Sequence, residues 1–325
     1  MRRLFSLDNL VNLVRSVLLD SWRFIVKPFT PAAVAEEFRN LRAAKPASFK
    51  KGMLELIPKL TIYYLLLSPI VAMPLYNTMI FHPFATGNYD LKAIDGVPCQ
   101  NVFFPSTNGK RLYAWFFSCP GASKTVLVSH GNAGNLTNRE GLVRLVLQAG
   151  ASVLVFDYQG FGKSEGHPSL AGICEDTAAA YQYLVQDKRV SPANVIIMGE
   201  SIGTGAACVV GLSHPCAGIV LQSAYTSLPS LVREKLPLMC LYPDWLFPPT
   251  RLDTLAALKR THPPLLLVHG AQDTLIPIKH SQLIYEQALA PKSFTSLPDA
   301  GHNDIYDVDS SQYIGALKQF IDSLS

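Results

Sequence analysis

Residues 194–205 constrain this chain more than any other stretch, because an apolar run leads into Gly-Glu-Ser-Ile-Gly and then into small residues. The apolar run lacks alternation, which predicts a short buried strand, and the small residues that follow predict a helix packed on it. G-x-S-x-G between a strand and a helix is the spacing of a nucleophile elbow. So tight a turn strains the backbone at Ser201 and needs flanking residues without a Cβ. The sequence therefore predicts an exposed, activated Ser201; the alternative is a glycine-rich turn with an ordinary serine.

The length of 325 residues fits one large α/β domain or two smaller domains. A hydrophobic content of 49% is high for a soluble enzyme and suggests membrane contact. The net charge of +4 is uneven, because residues 1–59 carry +6 and the remainder carries −2. A near-neutral main domain argues against nucleic acid as a partner. The six cysteines are scattered without metal-ligand spacing, so we predict no metal site and no disulfide framework.

Residues 1–59 are predicted to be a basic amphipathic N-terminal segment. Within residues 1–27, apolar side chains recur at helical spacing and the charged residues lie off that stripe. Such a helix could lie on an anionic membrane surface or pack on the domain as an extra helix, and the sequence leaves both open. Charged residues interrupt any hydrophobic core of a signal peptide, which disfavours that interpretation.

Residues 60–81 carry no charge and are long enough to span a bilayer, which takes about 20 apolar residues. We predict a transmembrane or membrane-inserted segment here, and hence a single-pass or membrane-associated protein. Pro69 and Pro74 also fit a kinked segment, or a hydrophobic hairpin packed on the domain. The side of the membrane on which residues 82–325 would lie is left open.

Residues 82–325 alternate short apolar runs with helical patterns, which predicts an α/β fold with a mostly parallel central sheet flanked by helices. From about residue 224 to 262 this rhythm gives way to apolar residues interrupted by prolines. In this position the pattern predicts a short cap that adds an apolar wall to a pocket. The alternative is the simple packing of a connecting helix.

Two further polar residues follow the last predicted strands. Asp273 comes just past one strand, and His302 lies on the loop after the next. Ser…Asp…His is the chain order of the catalytic triad in an α/β-hydrolase fold. We therefore predict Ser201 as the nucleophile, His302 as the general base and Asp273 as the acid that orients it, with Asp304 as the alternative acid.

Residues 130–135, H-G-N-A-G-N, follow a predicted buried strand. In this fold the loop after that strand supplies one oxyanion donor, and the residue after the nucleophile supplies the other. We assign these donors to the backbone N–H groups of Asn132 and Ile202; one such donor contributes about 3–4 kcal/mol. An ordinary strand-to-helix turn is the alternative. Three nearby polar residues are predicted to have structural roles: His130, Asp157 and Glu200.

These motifs (HGNAGN, FDYQGFGKSEG, GESIGTG, HGAQDTLIP and GHND) resemble those of the α/β-hydrolase superfamily over residues 82–325. Their combination, with Phe-His-Pro at residues 81–83, is similar to the group that contains alpha/beta hydrolase domain-containing proteins 13 and 17. The resemblance implies a membrane-anchored serine hydrolase with a minimal cap, and some members remove acyl groups from S-acylated proteins. Residues 1–50 depart from the 17-type pattern, because they lack its cysteine-rich, lipidated N-terminus.

Three functions remain. The first is a membrane-associated serine hydrolase that cleaves carboxylic esters or thioesters of lipid-like substrates or acylated proteins. It needs no cofactor, because serine, histidine and backbone amides suffice for acyl transfer. The second is a serine peptidase or amidase of the same fold. The third is a non-catalytic membrane scaffold, against which the three triad residues argue.

Overall fold

The computed structural model describes residues 57, 60–62, 64–250 and 252–324. The chain divides into two compact units, Met1–Leu67 and Ser68–Ser325. In the first unit the Oγ1 of Thr61 donates a hydrogen bond to the backbone C=O of Ile57 at 2.9 Å. The predicted amphipathic helix over residues 1–27 lies outside the described residues.

A nine-stranded sheet forms the centre of the second unit. The strands of this unit are β1 (His82–Pro83), β2 (Ala93–Ile94), β3 (Val97–Pro105), β4 (Arg111–Phe117), β5 (Thr125–Ser129), β6 (Ala133–Gly134), β7 (Ser152–Phe156), β8 (Val195–Glu200), β9 (Gly218–Gln222), β10 (Leu265–Gly270) and β11 (Lys292–Leu297). The order across the sheet is β11-β10-β9-β8-β5-β7-β4-β3-β2, and β1 pairs separately with β6. From β11 to β7 all neighbours are parallel. From β7 to β2 they are antiparallel.

Helices cover both faces of the sheet. They are α1 (Met73–Ile80), α2 (Glu140–Gln148), α3 (Leu170–Gln182), α4 (Gly203–Ser213), α5 (Leu228–Lys235), α6 (Thr254–Leu258), α7 (Lys279–Gln287) and α8 (Ser310–Asp322). Apolar side chains of α2 and α8 pack on one face, and those of α3, α4 and α7 pack on the other. The predicted mostly parallel sheet flanked by helices is confirmed.

The central strands are apolar without alternation because both of their faces are covered. Every residue of β5, β7 and β9 is buried. In β5, Leu127 packs into the core on the α3 side, whereas Val126 and Val128 pack into the core on the α8 side. The buried strands thus fix where each following loop emerges, and the predicted site residues lie on those loops.

Residues 60–81 do not form the single spanning helix that their composition predicted. The chain is helical at residues 64–66, leaves the helix at residues 67–72 and becomes helical again in α1. Pro69 lies in the break, and Pro74 lies in the first turn of α1, where its missing N–H is tolerated. Among the described residues, no helix combines the length and the apolar character needed to cross a bilayer. The prediction of a transmembrane helix is therefore not supported.

The predicted cap, residues 224–262, contains α5 and two short helical turns, Pro237–Leu241 and Asp244–Leu246, before α6. Arg233 folds this segment on itself, because its Nη2 donates to the Asp244 carboxylate at 2.7 Å and to the Tyr242 carbonyl at 2.9 Å. The backbone N–H of Ile70 donates to the Leu246 carbonyl at 2.8 Å. This bond joins the cap to the turn that precedes α1.

Candidate active site

Ser201 lies in the turn between β8 and α4. Its φ angle is +54°, a left-handed conformation that side chains other than glycine rarely adopt. Two backbone bonds hold this conformation, since Ser201 N–H donates to the Gln222 carbonyl at 3.0 Å and the Ser201 carbonyl accepts from Thr204 N–H at 3.0 Å. The Thr204 hydroxyl donates to the same carbonyl at 2.6 Å. The backbone therefore has the strained turn expected of a nucleophile elbow.

The two glycines of G-x-S-x-G are required by close backbone approaches. A Cβ on Gly199 would lie 2.5 Å from the Gly203 carbonyl oxygen. A Cβ on Gly203 would clash with the carbonyl oxygen of Ser129, at the end of β5. Both neighbours are backbone atoms and cannot rotate away. The motif spacing follows from this packing of α4 against β8 and β5.

His302 and Asp273 are brought together by the loops after β11 and β10. Nδ1 of His302 lies 2.6 Å from Oδ2 of Asp273. With the proton on Nδ1 donated to the carboxylate, Nε2 is left as a base. The Asp273 carboxylate is inaccessible to solvent, and the His302 side chain is 11% exposed. This pair has the geometry of the histidine and acid of a triad.

Asp273 receives more hydrogen bonds than the histidine alone supplies. Its Oδ1 accepts from the backbone N–H groups of Leu275 at 2.9 Å and Ile276 at 2.8 Å. Nε2 of the buried His269 lies 3.3 Å from Oδ2. Burial by itself would raise the pKa of Asp273, but the hydrogen bonds from His269 and His302 and the charge of His302 outweigh it, so this pKa is held well below its ordinary value.

The lowered pKa of Asp273 predicts how stability depends on pH. A carboxyl whose pKa is lower in the folded than in the unfolded state stabilises the fold above its unfolded pKa, and this contribution is lost as pH falls. We expect the difference in unfolding free energy between wild type and Asp273→Asn to stay constant above about pH 5 and to shrink below about pH 4. Urea unfolding from pH 7 to pH 3 measures it. A difference independent of pH would contradict the assignment.

Asp304, the alternative acid, forms hydrogen bonds within its own loop. Its Oδ1 accepts from the backbone N–H of Gly301 at 2.6 Å, and its carbonyl accepts from the N–H of Asp307 at 2.9 Å. These contacts shape the loop that carries His302. The carboxyl that contacts His302 is that of Asp273.

Asn132 is held in place by the last residue of α1 and by the residues that follow this helix. Its side-chain Nδ2 donates to the Ile80 carbonyl at 2.6 Å, and its carbonyl accepts from His82 N–H at 2.8 Å. Nδ2 of Asn135 donates to the carbonyls of Phe84 and Thr86. Residues 80–86 therefore brace the loop with backbone bonds, a role that the Phe-His-Pro resemblance did not reveal.

The two predicted oxyanion donors are the backbone N–H groups of Asn132 and Ile202. Within the described part of the chain, neither group donates a hydrogen bond to a protein acceptor. Ile202 directly precedes α4, so its N–H lies at the helix N-terminus, where negative charge is favoured. That both groups face a developing oxyanion remains a prediction.

Arg139 links the elbow to the oxyanion loop, and the sequence analysis missed it. Its Nε lies 2.7 Å from Oε2 of Glu200, the residue before the nucleophile. Its Nη2 donates to the carbonyl of Ala133 at 3.1 Å, one residue after Asn132. Both charged side chains are largely buried, at 10% and 15% exposure. Glu200 is thus a structural ion-pair partner, in keeping with its predicted structural role.

His130 and Asp157 lie beneath the same loop. His130 is fully buried, with Nδ1 2.7 Å from the Gly131 carbonyl oxygen and Nε2 3.6 Å from Asp157. Asp157 Oδ1 accepts from the backbone N–H of Leu136 at 2.7 Å. These are loop-bracing contacts, which is the role predicted for Asp157, and they fit the structural role predicted for His130. No group of three or more potential metal-ligating side chains converges in the part of the chain that the structure describes.

The sequence of this chain is similar to those of known proteins. A sequence profile described as serine aminopeptidase, S33, of the Hydrolase_4 type matches residues 120–256. An uncharacterized protein of Mycobacterium tuberculosis is 33% identical over 230 residues, which are 68% of this chain and 79% of that protein. Mouse alpha/beta hydrolase domain-containing protein 17C is 31% identical over 247 residues, which are 73% of this chain and 71% of that protein.

The fold is also similar to that of solved esterases. The Pyrococcus furiosus esterase Pf2001 superposes with a TM-score of 0.62 at 20% sequence identity, covering 75% of this chain and 97% of the esterase. The esterase domain of a Rhodothermus marinus protein gives a TM-score of 0.53 at 21% identity, covering 69% of this chain and 99% of that domain. At this level of identity the likeness extends to the fold alone.

Proposed function

The chain belongs to the α/β-hydrolase family, and from that premise we propose that it is a serine hydrolase that cleaves carboxylic esters or thioesters. The observation that carries the proposal is the 2.6 Å contact between His302 and the buried Asp273, combined with the left-handed backbone of Ser201. These are the parts that acyl transfer requires.

In the proposed reaction Ser201 Oγ attacks the acyl carbon as His302 Nε2 takes the hydroxyl proton. Asp273 stabilises the imidazolium that forms. The N–H groups of Asn132 and Ile202 bind the oxyanion of the tetrahedral intermediate. Collapse of the intermediate breaks the bond to the leaving group, which receives the proton from His302, and leaves an acyl-enzyme. Water then attacks, with His302 again as base, and releases the acid.

The proposal is tested by fluorophosphonate labelling of the full-length protein in a non-denaturing detergent. We expect wild type to be labelled and Ser201→Ala not to be. Ser223→Ala is the matched control, since Ser223 is a buried serine with a φ of +52° at the end of β9. Equal labelling of wild type and Ser201→Ala would contradict the assignment. An unlabelled wild type would favour the non-catalytic scaffold instead.

A peptidase or amidase is the second candidate, favoured by the matched profile described as serine aminopeptidase. The same triad serves both reactions, which differ in the leaving group that must be protonated. A panel of esters, thioesters and aminoacyl amides separates the two. Ester or thioester hydrolysis with no amide cleavage supports our proposal, and preferred cleavage of aminoacyl amides contradicts it.

We also propose that the protein associates with membranes and acts on lipid-like acyl groups or acylated proteins. Residues 60–89 carry no formal charge, and Leu75, Met79 and Phe84 are each more than half exposed. Exposed apolar side chains and a charge-free stretch favour contact with lipid over water. Fractionation of cells that express the full-length chain tests this. Recovery of the labelled protein only in the soluble fraction would contradict it.

A further inference from the structure

An apolar cavity of about 170 Å³ lies between α1 and the cap. From α1 it is lined by Met73, Tyr76, Met79 and Ile80, and from the cap by residues that include Leu228 and Phe247. None of the described residues that line it is charged. An apolar cavity of this kind favours hydrocarbon groups over polar ones.

On both sides of the cavity, hydrogen bonds lead to the residues whose backbone N–H groups are the predicted oxyanion donors, Asn132 and Ile202. Ile80, at the end of α1, accepts the side-chain hydrogen bond of Asn132. On the cap side, the hydroxyl of Tyr225, three residues before Leu228, lies 3.3 Å from the Ile202 carbonyl oxygen. The cavity therefore adjoins the residues that hold Asn132 and Ile202, and the acyl chain of an ester bound at Ser201 would extend toward it.

Resting on the proposed function, we infer that this cavity is the acyl-chain pocket and that α1 sets the chain length it accepts. An apolar cavity of about 150 Å³ binds benzene, so a volume slightly above that holds about six carbons. The substrate class is therefore an ester or thioester of a medium-length acyl chain. The stretch predicted to be a membrane anchor thus supplies one wall of the substrate site.

Some residues of α1 line the cavity, whereas Leu75 of the same helix does not. Met73, Tyr76 and Ile80 fall at helical positions i, i+3 and i+7, which share one face. Leu75 does not line the cavity and is 56% exposed. Tryptophan at position 73 reduces the cavity volume, whereas tryptophan at position 75 adds the same side chain outside it. The two substitutions are a matched pair.

The test measures kcat/KM of the full-length protein for p-nitrophenyl acetate, hexanoate and dodecanoate. Each methylene buried in the cavity raises kcat/KM about fourfold, so wild type prefers hexanoate to acetate. Met73→Trp is expected to lower the hexanoate-to-acetate ratio by at least about tenfold, which corresponds to two displaced methylenes. Leu75→Trp keeps the wild-type ratio. Equal ratios in all three proteins would overturn the inference and leave the proposed hydrolase activity standing.

A binding measurement separates this inference from the reaction itself. Titration of Ser201→Ala with hexanoate by calorimetry reports occupancy of the cavity without turnover. We expect hexanoate to bind, and the added Met73→Trp substitution to weaken its binding by about tenfold or more. If no ester is hydrolysed but hexanoate binding depends on residue 73, the proposed function fails and the pocket assignment holds. If hexanoate does not bind, the pocket assignment fails.

Discussion

Replacing His302 by alanine is expected to lower kcat for an ester substrate by about 10⁶-fold, and replacing Asp273 by asparagine by about 10⁴-fold. Without the imidazole, nothing takes the proton of Ser201 during attack. With asparagine at position 273, the 2.6 Å contact to Nδ1 loses its carboxylate, so neither the tautomer of His302 nor its imidazolium is stabilised. The residual rate would come from the oxyanion donors and from substrate binding.

Steady-state kinetics of the purified variants measure these losses, with circular dichroism to verify folding. His167→Ala is the control for the histidine, because His167 is an exposed loop residue that has no part in the proposed reaction. Asp304→Asn is the control for the acid and is expected to retain far more activity than Asp273→Asn. A loss of about 10⁴-fold in Asp304→Asn, with little change in Asp273→Asn, would make Asp304 the catalytic acid.

The features predictable from the sequence were local or depended on strand ends. The strand, the turn and the helix around Ser201 lie within twelve consecutive residues, and each glycine is required by an adjacent backbone atom. The placement of Asp273 and His302 followed from the rule that parallel strands present their carboxyl ends at one edge. The 2.6 Å contact between them agrees with that expectation.

Whether residues 60–81 form one spanning helix or a broken segment that packs on the protein could not be predicted from composition. An uncharged apolar run suits lipid and a protein interior equally, so only tertiary packing distinguishes them. Here two prolines divide the run, and α1 places Met73 and Ile80 against a cavity shared with the cap. The cap itself was recognisable only as a loss of regular pattern, since its short helices and turns have no period that sequence reveals.

The ion pair between Arg139 and Glu200 also could not be predicted from the sequence, because the two residues lie far apart in the chain. Nothing in the pattern around Arg139 distinguishes it from an exposed helix-terminal arginine. Its burial follows from its contacts with Glu200, at the end of β8, and with the Ala133 carbonyl of the oxyanion loop. Long-range polar pairs of this kind are fixed by the tertiary fold and not by local propensity.

Replacing Arg139 by methionine is expected to destabilise the protein by about 3–5 kcal/mol, because the Glu200 carboxylate would remain buried without its partner. The ion pair is 2.7 Å long and both side chains are largely shielded from solvent. For a domain of this size such a loss lowers the melting temperature by about 10 °C, which thermal unfolding followed by circular dichroism measures. Arg139→Lys keeps the charge and is expected to lose less stability.

The double variant Arg139→Met/Glu200→Gln separates the ion pair from simple packing. Removing both charges leaves no uncompensated carboxylate, so we expect the double variant to be more stable than Arg139→Met alone. Both variants lose the bond from Arg139 to the Ala133 carbonyl, and both are therefore expected to show a lower kcat through displacement of the Asn132 amide. If the double variant recovered stability and also full kcat, the ion pair would stabilise the fold without positioning the oxyanion loop. If it recovered neither, Arg139 would act through packing of its aliphatic stem, and the buried charge of Glu200 would not be the cause of the loss.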